Sequence, residues 1–220
     1  MTMDTDYSRQ NPSPRYRALV AIYQDLHEHG EAAHNRPPEH TFDGRSLAPH
    51  TATIRELTAR TGSRTLLDYG AGKGGFYKQR GLRDPQGNSY DSIKDYWNLS
   101  DITLYDPGYA PYSAYPSGTF DAVISTDVLE HIPEEDVPWI LREMFGFADK
   151  MLFVTIAGYP ANKNLPNGEN AHCTLKPMEW WSAVLSAAKQ AVGKPDLPWF
   201  ALYMDYDGVD PRQRHRTMKG

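Results

Sequence analysis

The sequence predicts an α/β fold: a Rossmann-like, doubly wound, mostly parallel sheet with helices on both faces. Three observations carry this. Apolar runs at residues 65–69, 102–105, 120–125, 151–157 and 199–204 have the length of buried strands. Segments with helically spaced apolar residues precede and separate several of them, the pattern of strand–helix–strand units. The first run ends at Asp68-Tyr69 and passes straight into a glycine-rich turn, Gly70-Ala71-Gly72-Lys73-Gly74-Gly75. With 220 residues, 40% of them hydrophobic, the chain is large enough for one domain with a substantial core.

Residues 1–14 are polar and read as a disordered tail. From residue 15, Tyr16, Leu19, Val20, Tyr23 and Leu26 repeat at helical spacing up to Gly30. Prolines and histidines make 31–50 a loop. A second helix fits 51–60, with Ile54 and Leu57 inward and Gly62 beyond its end. Residues 15–62 are therefore expected to be helices packed on the core, and 63–204 the main domain. The helix that should follow the glycine turn is cut short by Gly81, Pro85 and Gly87, so 80–100 reads as an irregular insertion. Pro133 is expected to open a helix with Glu134, Glu135 and Asp136 in its first turn. Val137, Ile140, Leu141, Met144 and Phe145 form its apolar stripe. After a long loop over 158–172, a helix is expected from Pro177 to about Val192, then a last strand at 199–204. Residues 205–220 read as a tail whose basic residues (Arg212, Arg214, His215, Arg216, Lys219) are solvated.

Composition narrows the function classes. A formal charge of −5 gives no long-range attraction to nucleic acid. One cysteine, Cys173, allows no intramolecular disulfide and no cysteine cluster for zinc. The N-terminal stretch lacks an apolar signal core, and no run approaches the ~20 apolar residues of a membrane span. The expected setting is cytoplasmic, away from membranes. Oligomeric state is not legible.

Ligands of such sheets sit at the carboxyl ends of the strands. Asp68, Asp106, Asp127 and the loop after Ala157 occupy those ends. Glycine tolerates positive φ and close backbone approach. A carboxylate beside such a turn suits a ligand with cationic and hydroxyl groups better than a bare phosphate, which points to S-adenosylmethionine. The pattern Gly70-x-Gly72-x-x-Gly75 also meets the dinucleotide fingerprint. The acid expected about 20 residues on would be Asp91 or Asp95, neither preceded by a strand.

Four pieces together carry a resemblance: Leu67-Asp68-Tyr69-Gly70-Ala71-Gly72-Lys73-Gly74, Leu104-Tyr105-Asp106-Pro107, Phe120-Asp121-Ala122-Val123, and Asp127-Val128-Leu129-Glu130-His131-Ile132. In this order, over 65–157, the chain resembles the class I S-adenosylmethionine-dependent methyltransferases of the broad small-molecule type. The resemblance implies that the loop of Asp68, Tyr69, Gly70, Ala71, Gly72 and Gly74 passes under the methionine part of the cofactor, with Asp68 and the Gly70 backbone facing its amino group. It implies that Asp106, followed by Pro107, accepts the ribose hydroxyls. Asp127 and Val128 are the remaining cofactor candidates. The distance from Asp68 to Asp106 is long and that from Asp106 to Phe120 short, so Asp106 ends either the second or the third strand of the pattern. Tyr109 and Tyr112 are candidates for stacking on adenine, with ordinary packing the simpler role. Asp106-Pro107-Gly108-Tyr109 is similar to the Asp/Asn-Pro-Pro-aromatic motif of amino-methylating nucleic acid enzymes, but after the strand at 120–125 this chain has Ser125-Thr126-Asp127-Val128 instead.

Three side chains are candidates for chemistry on the acceptor. His131 follows a strand end among Val128, Leu129 and Ile132. His172 and Asn170 lie in the loop after 151–157, which reaches over the substrate in folds of this kind. Histidine, with an ordinary pKa near ~6.5, can take a proton from a hydroxyl acceptor at neutral pH, and Asn170 can place that acceptor. Trp180 and Trp181 open the late helix; both read as core, with one of them a candidate to close the acceptor pocket. Lys73 and Glu130 read as local salt-bridge or surface groups. No spacing marks a metal site. The expected activity is methyl transfer to an oxygen or nitrogen of a small molecule, such as a sugar or another biosynthetic intermediate. The alternatives are a non-catalytic cofactor-binding partner subunit and a nucleic-acid methyltransferase.

Overall fold

A computed structural model describes residues 7–32, 35–205 and 215–220. In chain order its main elements are α1 (Pro14–His29), α2 (Thr51–Thr61), β1 (Thr65–Tyr69), β2 (Leu82–Arg83), β3 (Ser89–Tyr90), α3 (Ile93–Tyr96), β4 (Asp101–Tyr105), β5 (Phe120–Thr126), α4 (Val137–Phe147), β6 (Ala148–Ala157), α5 (Met178–Ala191), β7 (Trp199–Met204) and β8 (His215–Lys219). Six strands form one sheet in the order β4-β1-β5-β6-β7-β8. All neighbours are parallel except β7 and β8, so the expected Rossmann-like, mostly parallel architecture is what forms.

Alternation along the strands builds two apolar layers. On one face Leu67, Val123, Leu152 and Val154 meet α4 and α5 through Ile140, Met144 and Leu185. On the other, Leu66, Ile124 and Phe153 meet α2 and the insertion through Ile54, Leu57, Phe76 and Trp97. Burying each such side chain contributes about 1.5–3 kcal/mol. Trp181 is fully buried in the first layer, with Trp180 at its edge.

The chain leaves β1 for β4 on one side and then crosses to β5 on the other. That reversal puts the crevice of a doubly wound sheet at the carboxyl ends of β1 and β5. Asp106 follows β4, which pairs directly with β1, so it ends the second strand of the main sheet and not a third. The helix expected after the glycine turn is a single 3-10 turn, Gly75–Lys78. The insertion folds as the β2–β3 hairpin and α3.

Three expectations need correction. The polar start is not a free tail in its described part. Arg9 forks onto Glu143 at 2.5 and 2.6 Å and reaches the hydroxyls of Tyr105 (2.9 Å) and Tyr69 (3.1 Å). Residues 1–6 lie outside the described residues. The fourth helix starts at Val137, with Pro138 in its first turn, and Glu134 and Glu135 precede it. Asp136 stays buried because its Oδ1 accepts from the Ser13 amide and from Trp139 Nε1. The basic end is no loose tail either: His215–Lys219 pairs antiparallel with β7. Charged residues on an edge strand discourage further pairing, which is why the segment reads as tail. Arg212 and Arg214 lie outside the described residues. No helix among the described residues is long and apolar enough to cross a membrane.

Candidate functional site

A cleft of about 770 Å³ opens at the carboxyl ends of β1 and β5. Its floor is the turn Gly70–Ala71–Gly72 with Asp106 and Pro107; its far wall carries Asp127, His131 and His172. Helix α1 and the segment 42–46 close the remaining sides. Leu19 and Leu26 of α1 rest on Leu165 and Ala171 of the late loop, so α1 covers the cleft, while Tyr16 near its start packs on Trp139 of α4 in the main core.

The glycine turn is saturated by its own chain. The amides of Gly70 and Ala71 donate to Tyr105 O, Gly72 to Asp106 Oδ2, Lys73 to Phe42 O, Gly74 to Ala71 O and Gly75 to Asp43 O. A pyrophosphate cradle works by offering free N–H groups, and this turn has none left between Gly70 and Gly75. Its glycines serve close packing within the chain. A Cβ on Gly72 would stand 2.4 Å from Phe42 O, one on Gly75 2.5 Å from Asp43 O, and one on Gly70 2.4 Å from a Val128 methyl. Gly74 packs against Leu104 and Tyr112 and does not line the cleft. Lys73, expected at the surface or in a salt bridge, instead donates to the carbonyls of His27 (2.8 Å), Pro38 (2.6 Å) and Thr41 (3.2 Å). It pins α1 and the 38–41 turn to the glycine loop.

Asp68 does not face the cleft as the resemblance implies, whereas Asp106 does. Asp68 is buried beneath the turn, outside the cleft wall. Tyr77 donates to its Oδ2 at 2.7 Å, and its Oδ1 has no partner. Burial pushes its pKa up to about 7, against the Tyr77 bond, which lowers it. Asp106 faces the cleft while accepting from the amides of Gly72 and Gly108, both at 2.8 Å. Burial raises its pKa and those backbone donors oppose the rise. Each carboxylate oxygen keeps a second lone pair for a ligand hydroxyl. Tyr69 lines the cleft, with its hydroxyl held by Arg9 and donating to Glu143 at 3.0 Å. Tyr109 and Tyr112 pack on each other, and Tyr109 also packs on His27, away from the cleft wall.

Beyond β5 the backbone turns sharply. Asp127 is a non-glycine residue at φ 60°, a conformation that costs about 1–3 kcal/mol and that its surroundings must hold. Its amide donates to Thr155 Oγ1 at 3.0 Å. Glu130, expected in a salt bridge or at the surface, is fully buried: its Oε1 accepts from the Ala157 amide at 2.7 Å and its Oε2 is unpartnered. Burial, then the nearby Asp127 charge, raises its pKa strongly. His131 Nδ1 lies 2.9 Å from the Tyr23 hydroxyl, and its ring meets that of His172 edge to face at 4.8 Å. Burial lowers the His131 pKa to about 4, with Asp127 opposing. His172 Nδ1 is 2.6 Å from Tyr159 O, which fixes the proton on that nitrogen in the neutral ring.

Asn170 does not point at an acceptor. Its Oδ1 accepts from the amides of Ala161 and His172, and its Nδ2 donates to Ala161 O. It shapes the loop and thereby positions His172. Asp127, His131 and His172 come together, each with one ligand-capable atom within 4.8 Å of the others. Sequence reasoning missed Tyr23, the strap at 42–46 and the buried state of Glu130. The prolines and histidines around the strap carry no periodicity that places it on the turn.

No family model and no curated protein matches the chain. Among solved structures it is similar to an O-methyltransferase family protein from Burkholderia thailandensis, at 15% identity and a TM-score of 0.44, over 80% of this chain and 61% of that one. The chain thus spans less than two thirds of that neighbour's length. The fold assignment rests on the strand order and pairing.

Proposed function

We propose that this chain transfers the methyl group of S-adenosylmethionine to an oxygen or nitrogen of a small-molecule acceptor. The observation that carries the reading is the saturated glycine turn at the switch point of the sheet, facing a histidine pair across one cleft. A turn without free amides does not suit a pyrophosphate, and a wall with Asp106 and Asp127 suits a cation that also carries hydroxyls. The cleft volume lies in the ordinary range for a small-molecule site, ~300–1,000 Å³.

When bound, the cofactor supplies an electrophilic methyl on a sulfonium that departs as a neutral thioether. The remaining work falls to this chain. Asp106 would take the ribose hydroxyls, and α1 with the 42–46 strap walls the cleft. Alignment of acceptor and methyl contributes up to ~7–11 kcal/mol when the geometry is productive. His172, its proton held on Nδ1 by Tyr159 O, offers the Nε2 lone pair to an acceptor hydroxyl. His131 lies beside it, and its low pKa keeps it a neutral base at pH 7. The test is incubation of the purified protein with methyl-labelled cofactor and fractionated metabolite extracts. Label transferred to a small product supports the reading; label that stays on the cofactor in every fraction counts against it.

A further inference from the structure

The methyl-transfer reading leaves one cluster only partly used. Asp127, His131 and His172 belong to two distant segments, yet their ligand-capable atoms stand within 4.8 Å of one another at the cleft wall. We infer that these three side chains bind a divalent transition-metal ion, of the class taken by two imidazoles and one carboxylate. Ligands about 2.0–2.2 Å from such an ion stand roughly 3–3.5 Å apart, so side-chain movement of about an ångström closes the set.

The surroundings have the form of a metal site. A ligating imidazole gives its other N–H to a carbonyl or another fixed group, which sets tautomer and ring orientation. His172 does this through Nδ1 and Tyr159 O at 2.6 Å. His131 meets Tyr23 through Nδ1 at 2.9 Å, and when the tyrosine oxygen accepts, Nε2 is the atom that would take the ion in place of the neighbouring Ala171 backbone. Asn170 braces the His172 amide from behind. Behind Asp127 stands the fully buried Glu130, whose Oε2 has no hydrogen-bond partner. A cation offsets that crowding of carboxylates. Three protein ligands leave coordination positions open, the arrangement of catalytic rather than structural sites.

The consequence for chemistry rests on the methyl-transfer reading. An ion here would hold an acceptor oxygen against the methyl donor and acidify its hydroxyl as a Lewis acid. The proton passes to cleft water, the oxygen–methyl bond forms as the sulfur–methyl bond breaks, and a neutral thioether and a methylated oxygen result. With the ion in place the two histidines act as ligands, and deprotonation no longer depends on an imidazole base.

The test uses the full chain stripped with a chelator and titrated with Co²⁺ alone, read by its visible d–d absorption and by competition with Zn²⁺. The expected result is one equivalent bound, with affinity reduced roughly 10- to 100-fold or more in each of Asp127→Asn, His131→Ala and His172→Ala. Asp127 is exposed, so Asp127→Asn keeps the result interpretable should a histidine variant unfold. No stoichiometric Co²⁺ binding, or equal binding by Asp127→Asn, overturns the site. Separately, stripping should abolish methyl transfer, and added metal should restore it, with S-adenosylhomocysteine affinity unchanged. Full turnover by stripped protein overturns the catalytic role. Metal binding without any cofactor binding would instead sink the methyl-transfer reading and leave the metal site standing.

Discussion

His131 and His172 meet edge to face, their ring centroids 4.8 Å apart, although one follows β5 and the other ends the long loop after β6. Each is anchored from behind, His131 at Tyr23 and His172 at Tyr159 O. Groups acting on an acceptor proton typically contribute 10²–10⁴-fold. His131→Ala and His172→Ala are expected to lower turnover by roughly that factor while S-adenosylhomocysteine affinity holds. Steady-state rates beside calorimetry check this. A loss of affinity that parallels the loss of rate would place the pair in the cofactor pocket instead.

Asp106 ties the end of β4 to the glycine turn and faces the cleft. Asp106→Ala removes the acceptor for two amides and a hydrogen-bonding carboxylate from the cofactor site. Charged hydrogen bonds contribute about 1.5–3 kcal/mol, so cofactor affinity is expected to fall roughly 10- to 150-fold. Unchanged affinity would remove Asp106 from the cofactor site.

Asp68 predicts a pH effect on stability. Its folded pKa, near 7, lies above the ordinary carboxylate value. The folded state therefore keeps a proton that the unfolded chain has lost. The group's contribution is fully present below about pH 4 and is lost as pH rises through about 7. Asp68→Asn, neutral throughout, is expected to flatten this slope and to gain on the wild type between those values. Denaturant midpoints from pH 4 to 8 decide it. Parallel curves for the two proteins would mean that Asp68 is not the group.

Gly72 and Gly62 make a matched pair. Both have positive φ, 56° and 63°, but a Cβ on Gly72 would strike Phe42 O while one on Gly62 meets nothing within 4 Å. Gly62→Ala bears only the backbone strain, about 1 kcal/mol. Gly72→Ala also forces the 42–46 strap off the turn, so it should be the more destabilising and should weaken cofactor binding as well. Equal thermal shifts for the two would show that the strap does not press on the turn.

The sheet was legible because parallel strands buried on both faces read as apolar runs, and 65–69 and 199–204 coincide with β1 and β7. The stripe of α4 was legible for the same reason: Val137, Ile140, Leu141, Met144 and Phe145 are all fully buried. The start of α4 was misplaced because Pro133 and Pro138 carry the same local signal. The part of the site that depends on spatial meeting was not legible. Nothing near Lys73 announces three backbone carbonyls as its partners, and a glutamate between Leu129 and His131 gives no sign that the Ala157 amide will bury it. His131, His172 and Asp127 were each visible at a strand end or in the late loop, but their convergence follows from β5 and β6 lying side by side.

The most direct test of the account is calorimetric titration of the purified chain with S-adenosylhomocysteine, alongside NAD. One equivalent of the sulfur nucleoside is expected to bind at the glycine turn, more weakly in Asp106→Ala, with no uptake of NAD. Binding of NAD, or no heat from S-adenosylhomocysteine at any workable concentration, would contradict it.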